Sequence, residues 1–191
     1  GVWSRVAEVD AMVVGAVLAA GSGRRYGKPK VLAEQGLWLD NAVHALSEGG
    51  CREVVVAMGA AIVTPPSGAK AIVVEDWVVG LSASVRAVLC APVVREDSGG
   101  VVLHVVDMPD VTAAVVSRIV KTAAGAPGKI VRAVYHGRPG HPVHLDAGHL
   151  DGVLASLDGD VGAARYLRAH PEIVESVECG DLASGVDRDE P

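Results

Sequence analysis

Residues 13–30 read VVGAVLAAGSGRRYGKPK, an apolar run that breaks into a glycine-rich, basic turn. Residues 13–18 suit the first strand of a parallel sheet, buried on both faces. The chain then leaves that strand through Gly21 and Gly23. Neither carries a Cβ, so the backbone can turn sharply and bring its amides close to an anion. Arg24, Arg25, Lys28 and Lys30 follow, four cations within seven positions. Amides and cations gathered at a strand end suit a polyphosphate.

The rest of the chain supplies an α/β setting for this turn. It has 191 residues, half of them apolar, rich in Val and Ala and without Phe. Short Val-rich runs between Ala-rich stretches predict an α/β sandwich with buried, mostly parallel strands. The length fits one domain over 12–191, with 1–11 as an N-terminal extension that lacks the apolar core of a signal peptide. A net charge of −6 excludes general attraction to nucleic acid and sets the basic turn apart. No apolar run reaches the roughly 18 residues of a membrane span. Cys51, Cys90 and Cys179 are odd in number and have no C-x-x-C spacing. Neither a zinc site nor a disulfide framework is expected, and free thiols in a reducing cytoplasm are.

Further strands are expected at 53–58, 71–74, 101–106, 130–135 and 173–177. Helices are expected at 40–48 with Asp40 as N-cap, from Ser82 to 89, from Thr112 to 124, and at 147–156 and 161–169. Asp160 is a candidate cap for the last. Residues 95–100 read as a polar turn, and 136–145 as a turn leading into a strand.

Asp107 ends the apolar run 101–106. Ligands of open parallel sheets collect at such strand ends, and a bare carboxylate beside an apolar core is costly. Position alone leaves two roles open, a turn cap or a ligand for Mg²⁺, which takes one or two carboxylates plus phosphate oxygens and waters. Gly80-Leu81-Ser82-Ala83-Ser84 opens a helix whose free amides and hydroxyls make either an anion site or a plain cap. His104 lies inside an apolar strand and is expected to be a satisfied core residue. Trp77 is expected to pack rather than to stack on a base.

The first loop resembles the signature of the nucleotidyltransferases with a Rossmann-like fold. That group contains sugar-1-phosphate nucleotidyltransferases and the molybdenum cofactor cytidylyl- and guanylyltransferases of the molybdopterin nucleotidyltransferase superfamily. In its G-x-G-x-R…P-K pattern, Gly21, Gly23, Arg25, Pro29 and Lys30 match. The resemblance implies a three-layer α/β/α fold. It implies that Leu18, Ala19, Ala20, Gly21, Ser22, Gly23 and Arg24 wrap a triphosphate. Arg25 and Lys30 would neutralise the α-phosphate and the departing pyrophosphate. The LAAG form, through Ala20, is similar to the cytidylyl branch, so CTP is the expected donor. Asp107 and Pro109 match the strand-end D-x-P whose aspartate binds the metal. Asp187 and Asp189 match a terminal D-x-D-x-P that completes the Mg²⁺ site. Ser82 and Ser84 match a G-x-S-x-S segment beside the nucleotide.

The GRPGHP stretch at 137–142 is similar to the G-x-x-G-H-P turn of the cofactor cytidylyltransferases. Gly140 and His141 would face the acceptor there. Arg165, in a segment like the family's G-D-x-G-A-R helix start, would approach the acceptor or form a surface ion pair. The implied reaction moves CMP from CTP to a phosphorylated acceptor, molybdopterin, with release of pyrophosphate. The alternatives are a guanylyltransferase using GTP on molybdopterin, another phosphorylated small molecule or a sugar phosphate as acceptor, or a non-catalytic nucleotide-binding module serving a molybdoenzyme or its chaperone. A dinucleotide-dependent oxidoreductase fits less well. Tyr26 stands where the third fingerprint glycine would be, and strand two ends Ala57-Met58-Gly59 without the acidic residue that holds a ribose.

Overall fold

The computed structural model describes residues 12–23, 26–96 and 98–188. Among them, seven strands form one sheet: β1 (Met12–Ala19), β2 (Glu53–Met58), β3 (Ala69–Val73), β4 (Ser98–Val105), β5 (Ile130–Tyr135), β6 (Arg138–Asp146) and β7 (Val174–Glu178). Their order is β3-β2-β1-β4-β6-β5-β7. The β1–β2, β2–β3, β1–β4 and β5–β7 pairs are parallel. β6 runs antiparallel to both β4 and β5. The expected α/β sandwich with a mostly parallel sheet is the observed architecture.

Helices cover both faces. α1 (Leu37–Glu48) and α4 (Ala113–Ala124) lie on one side; α2 (Leu81–Leu89), α5 (Leu150–Ser156) and α6 (Ala164–Ala169) lie on the other. Alternation along the strands sorts the core between them. Val14, Ala16 and Leu18 of β1 pack with Val85, Leu89, Val153 and Leu167. Val17 and Ala19 pack with Leu39, Val43 and Leu46 of α1. Each fully buried Val or Leu of this kind contributes roughly 1.5–3 kcal/mol.

Several local expectations need correction. α1 begins at Leu37 from an N-cap at Gly36, whose φ of 88° suits glycine. Asp40 is therefore not the cap but lies in the first turn, where its charge opposes the positive end of the helix dipole. Ser82 lies inside α2, and its hydroxyl donates to the Gly159 carbonyl. Asp160 serves α2 rather than the later helix, its Oδ1 accepting from the Leu81 amide at 3.1 Å. The turn expected over 95–100 is shorter than that, Glu96 turning while Ser98 to Gly100 are already strand. A short α3 (Pro92–Arg95) precedes β4, which is already strand at Ser98.

The 136–145 stretch is also mostly strand. Only His136-Gly137 turns, and the Glu178 carboxylate accepts both of their amides at 2.9 Å. Pro139 is tolerated because the β5–β6 register shifts between Arg132 and Val134, where ladder bonding is already broken.

Candidate functional site

From β1 the sheet grows toward β2 and β3; from β4 it grows the other way. The carboxyl ends of β1 and β4 thus flank the point where strand order reverses, the usual ligand crevice of an open α/β sheet. Two cavities open there.

The first holds about 690 Å³ and is lined by Gly21, Ser22, Gly23, Lys30, Trp77 and Gly80, among others. Its loop is tightly folded. Gly23 has φ +67°, and a Cβ there would sit 1.9 Å from the Lys28 carbonyl oxygen. The Gly27 amide donates back to the Gly23 carbonyl at 2.8 Å. Tyr26 is buried and packs its ring 5.1 Å from that of Trp38, which pins the loop to α1. Tyr26 is thus an apolar anchor for the turn.

The second cavity holds about 390 Å³ and is mainly apolar, with Leu103, Val105, Val143 and Leu167 in its walls. Its polar lining comes from Asp107, Arg132, His141 and Asp187. The Lys30 Nζ donates to Asp107 Oδ2 at 2.8 Å, with the two side chains only 17% and 20% exposed. One partner lines the first cavity and the other lines the second. Their ion pair therefore marks the boundary at which the two spaces meet.

The chain after β7 returns to this boundary. Arg118 of α4 grips the Asp181 carboxylate at 2.7 and 2.9 Å. The Ser184 amide donates to Asp110 at 2.8 Å. Gly185, at φ +67°, lies on the Tyr135 ring, where a Cβ would be 2.1 Å from a ring carbon. The Arg188 amide then donates to the Asp107 carbonyl at 2.8 Å. This path sets Asp187 in the same cavity wall as Asp107. The Tyr135 hydroxyl donates to the His141 carbonyl and fixes the opposite wall.

Of the residues singled out from sequence, Gly21, Ser22, Gly23 and Lys30 share the first cavity. Leu18, Asp107, Gly140, His141 and Asp187 share the second. Ala19 and Ala20 are buried beneath. Ser82 and Ser84 are buried in α2 and line neither cavity. Arg165 also lines neither; it is half exposed and pairs with Asp158 at 3.7 Å on the surface. Arg24, Arg25 and Asp189 lie outside the described residues. Arg132 escaped the sequence reading. Its signal was a lone cation inside the apolar strand IVRAVY.

His104 is fully buried, yet neither ring nitrogen has a hydrogen-bond partner among the described residues. It is a core residue, but not a satisfied one. Burial, aided by His141, pushes its pKa down to about 3. Burial also lowers His144, against the pull of Asp146, and lowers His141, against the pull of Asp107. A histidine held neutral in the fold stabilises it above the unfolded pKa near 6.5, and that stability drains as pH falls from 6.5 toward the folded value. Each such group costs about 1.4 kcal/mol per pH unit within that window. Urea midpoints measured on either side of pH 6.5 should therefore fall on the acid side, and more gently in His104→Leu. An equal acid sensitivity in that variant rules His104 out as a source.

Sequence and structure comparisons identify the family and agree with the fold. The MobA-like NTP transferase domain matches residues 15–174. The nicotine blue oxidoreductase of Paenarthrobacter nicotinovorans is 32% identical over 192 residues, covering 93% of this chain and 92% of that protein. The crystal structure of an Rv0371c homologue from Mycobacterium sp. strain JC1 superposes with a TM-score of 0.75 at 29% identity, covering 93% of this chain and 90% of the other. Rv0371c of Mycobacterium tuberculosis, crystallised in complex with manganese, gives a TM-score of 0.72 at 26% identity, with 93% and 94% covered. Among the described residues no helix is long and apolar enough to cross a membrane.

Proposed function

The chain belongs to the MobA-like NTP transferase domain family, and from that premise we propose that it transfers CMP from CTP to a phosphorylated acceptor of the molybdopterin type. The observation that carries this reading is the Lys30–Asp107 contact at 2.8 Å between an amide-lined cavity and an apolar one. A nucleoside triphosphate fits the first and an acceptor the second, so the α-phosphorus would lie where the spaces join. An acceptor phosphate oxygen forms the new P–O bond in line. The α–β anhydride bond breaks, and its electron pair leaves with pyrophosphate. Positioning and charge neutralisation supply most of such catalysis, so no side-chain nucleophile is required. The Gly21–Gly23 backbone would hold the phosphates, and Arg25 and Lys30 would offset their charge.

Asp107 and Asp187 fit a Mg²⁺ site, with Asp189 as a further candidate. The first two line one cavity wall, and two carboxylates with phosphate oxygens and waters are a donor set this ion accepts. When bound, the ion would place positive charge between donor and acceptor phosphates. The setting proposed is the reducing cytoplasm, where Cys51, Cys90 and Cys179 stay as the free thiols observed.

Calorimetry with each of the four NTPs and Mg²⁺, followed by pyrophosphate release in the presence of molybdopterin, tests the proposal. CTP should bind tightest and pyrophosphate should appear only with the acceptor. Tighter binding of GTP would move the chain to the guanylyl reading; no binding of any NTP would sink the transferase reading.

The relative named as an oxidoreductase favours a second reading. A nicotinamide dinucleotide would occupy the glycine-lined cavity and pass hydride to a flat aromatic substrate in the apolar one. Loss of NAD(P)H absorbance on adding a dye of that kind, with no NTP binding, would favour it. The buried Tyr26 and the β2 end at Met58-Gly59 still leave it without the dinucleotide fingerprint.

A further inference from the structure

Arg132 is a cation set into the apolar end of the second cavity. Strand register levels it with Val143 of β6 and Leu103 of β4. Asp107 lies four residues beyond Leu103, on the order of 10 Å further along the strand direction. Leu103 and Val143 wall the cavity at the Arg132 register, and Leu167 is also in its lining. The guanidinium Nε is buried without a hydrogen-bond partner. Among the described residues, the Arg132 side chain makes no hydrogen bond or ion pair. Burial also lowers its pKa, though a guanidinium stays charged at neutral pH. A charged donor in such a place is costly unless something accepts from it. Among the described residues no carboxylate offsets that burial, Asp107 and Asp187 lying elsewhere in the same lining, and the cavity leaves open space beside the guanidinium.

We propose that Arg132 binds an oxygen-acceptor group at the inner end of the acceptor molecule. The acceptor would then have two poles joined by a flat apolar body: a phosphate at the Lys30–Asp107 boundary, and a carboxylate or equivalent oxyanion against Arg132. This deepens the acceptor half of the transferase reading and rests on it for which end reacts. The binding claim itself needs no NTP.

Two probes isolate the inner contact: biphenyl-4-yl phosphate, and the same molecule bearing a 4′-carboxylate. Their dissociation constants are measured by calorimetry on the full chain. The carboxylate should tighten binding to the native protein by at least about tenfold, as expected for a charge-assisted hydrogen bond. Arg132→Met should erase that advantage while leaving biphenyl-4-yl phosphate and CTP binding near native. Arg132→Lys should restore part of it. A merely structural role for Arg132 would weaken both probes alike. That outcome, an unchanged advantage in Arg132→Met, or no binding of the carboxylate probe to native protein overturns the proposal. Failure of every NTP to bind, with the Arg132-dependent advantage intact, would instead overturn the transferase reading alone.

Discussion

Lys30→Ala and Asp107→Ala should each lower nucleotidyl-transfer turnover by about 10²–10³-fold, the usual effect of removing one contact made to transition-state charge. The two residues form one 2.8 Å pair, so each variant removes a charge together with that contact. The fold should survive. The pair is neither deeply buried nor part of the apolar core, at 17% and 20% exposure, so water can reach the remaining side chain. The double variant should be little worse than either single one, because groups that act as a unit lose their effect together. Pyrophosphate-release rates beside urea midpoints decide the matter. Near-native rates in both single variants would refute the role given to the pair, and collapse of the urea midpoint would assign it to stability.

Gly23→Ala should weaken triphosphate binding by one to two orders of magnitude and also destabilise the protein by about 1–3 kcal/mol. The added methyl would overlap the Lys28 carbonyl at 1.9 Å, in a backbone conformation at φ +67° that L residues rarely adopt. Neither problem can be relieved without unfolding the turn that presents the amides. Gly21→Ala is the control: its Cβ would meet nothing within 4 Å, so its thermal midpoint should match the native protein. Calorimetric CTP titrations and melting curves on the two variants separate loop geometry from simple crowding of the cavity. Equal melting behaviour in both would show that the loop adapts.

The parts visible from sequence were those with strong local causes. β2 and β5 have the expected bounds because each is a mainly apolar run between turn residues. The strand-end loop and Asp107 were visible because glycines, cations and a carboxylate stood out from Val-rich surroundings. The misplaced elements depended on distant partners. Ser82 and Asp160 depart from their expected capping roles because residues 159–160 pack against the start of α2, a contact across 77 to 79 positions. Residues 138–142 read as turn because two prolines and a glycine dominate them, yet β5 pairs with Arg138 and Pro139, and the strand runs on into 143–146, which β4 pairs as well. Arg132 went unnoticed because nothing local marks which face of β5 opens on a cavity.

The path taken after β7 bears on how the protein should be handled at the bench. Arg188 is bonded to the Asp107 backbone, so any purification tag fused just beyond it would emerge beside the mouth of the apolar cavity. β1 starts at Met12 on the far, amino-side rim of the sheet. A tag joined upstream of Met12 would leave the reacting end unobstructed, and assays run with the two placements should differ in acceptor access.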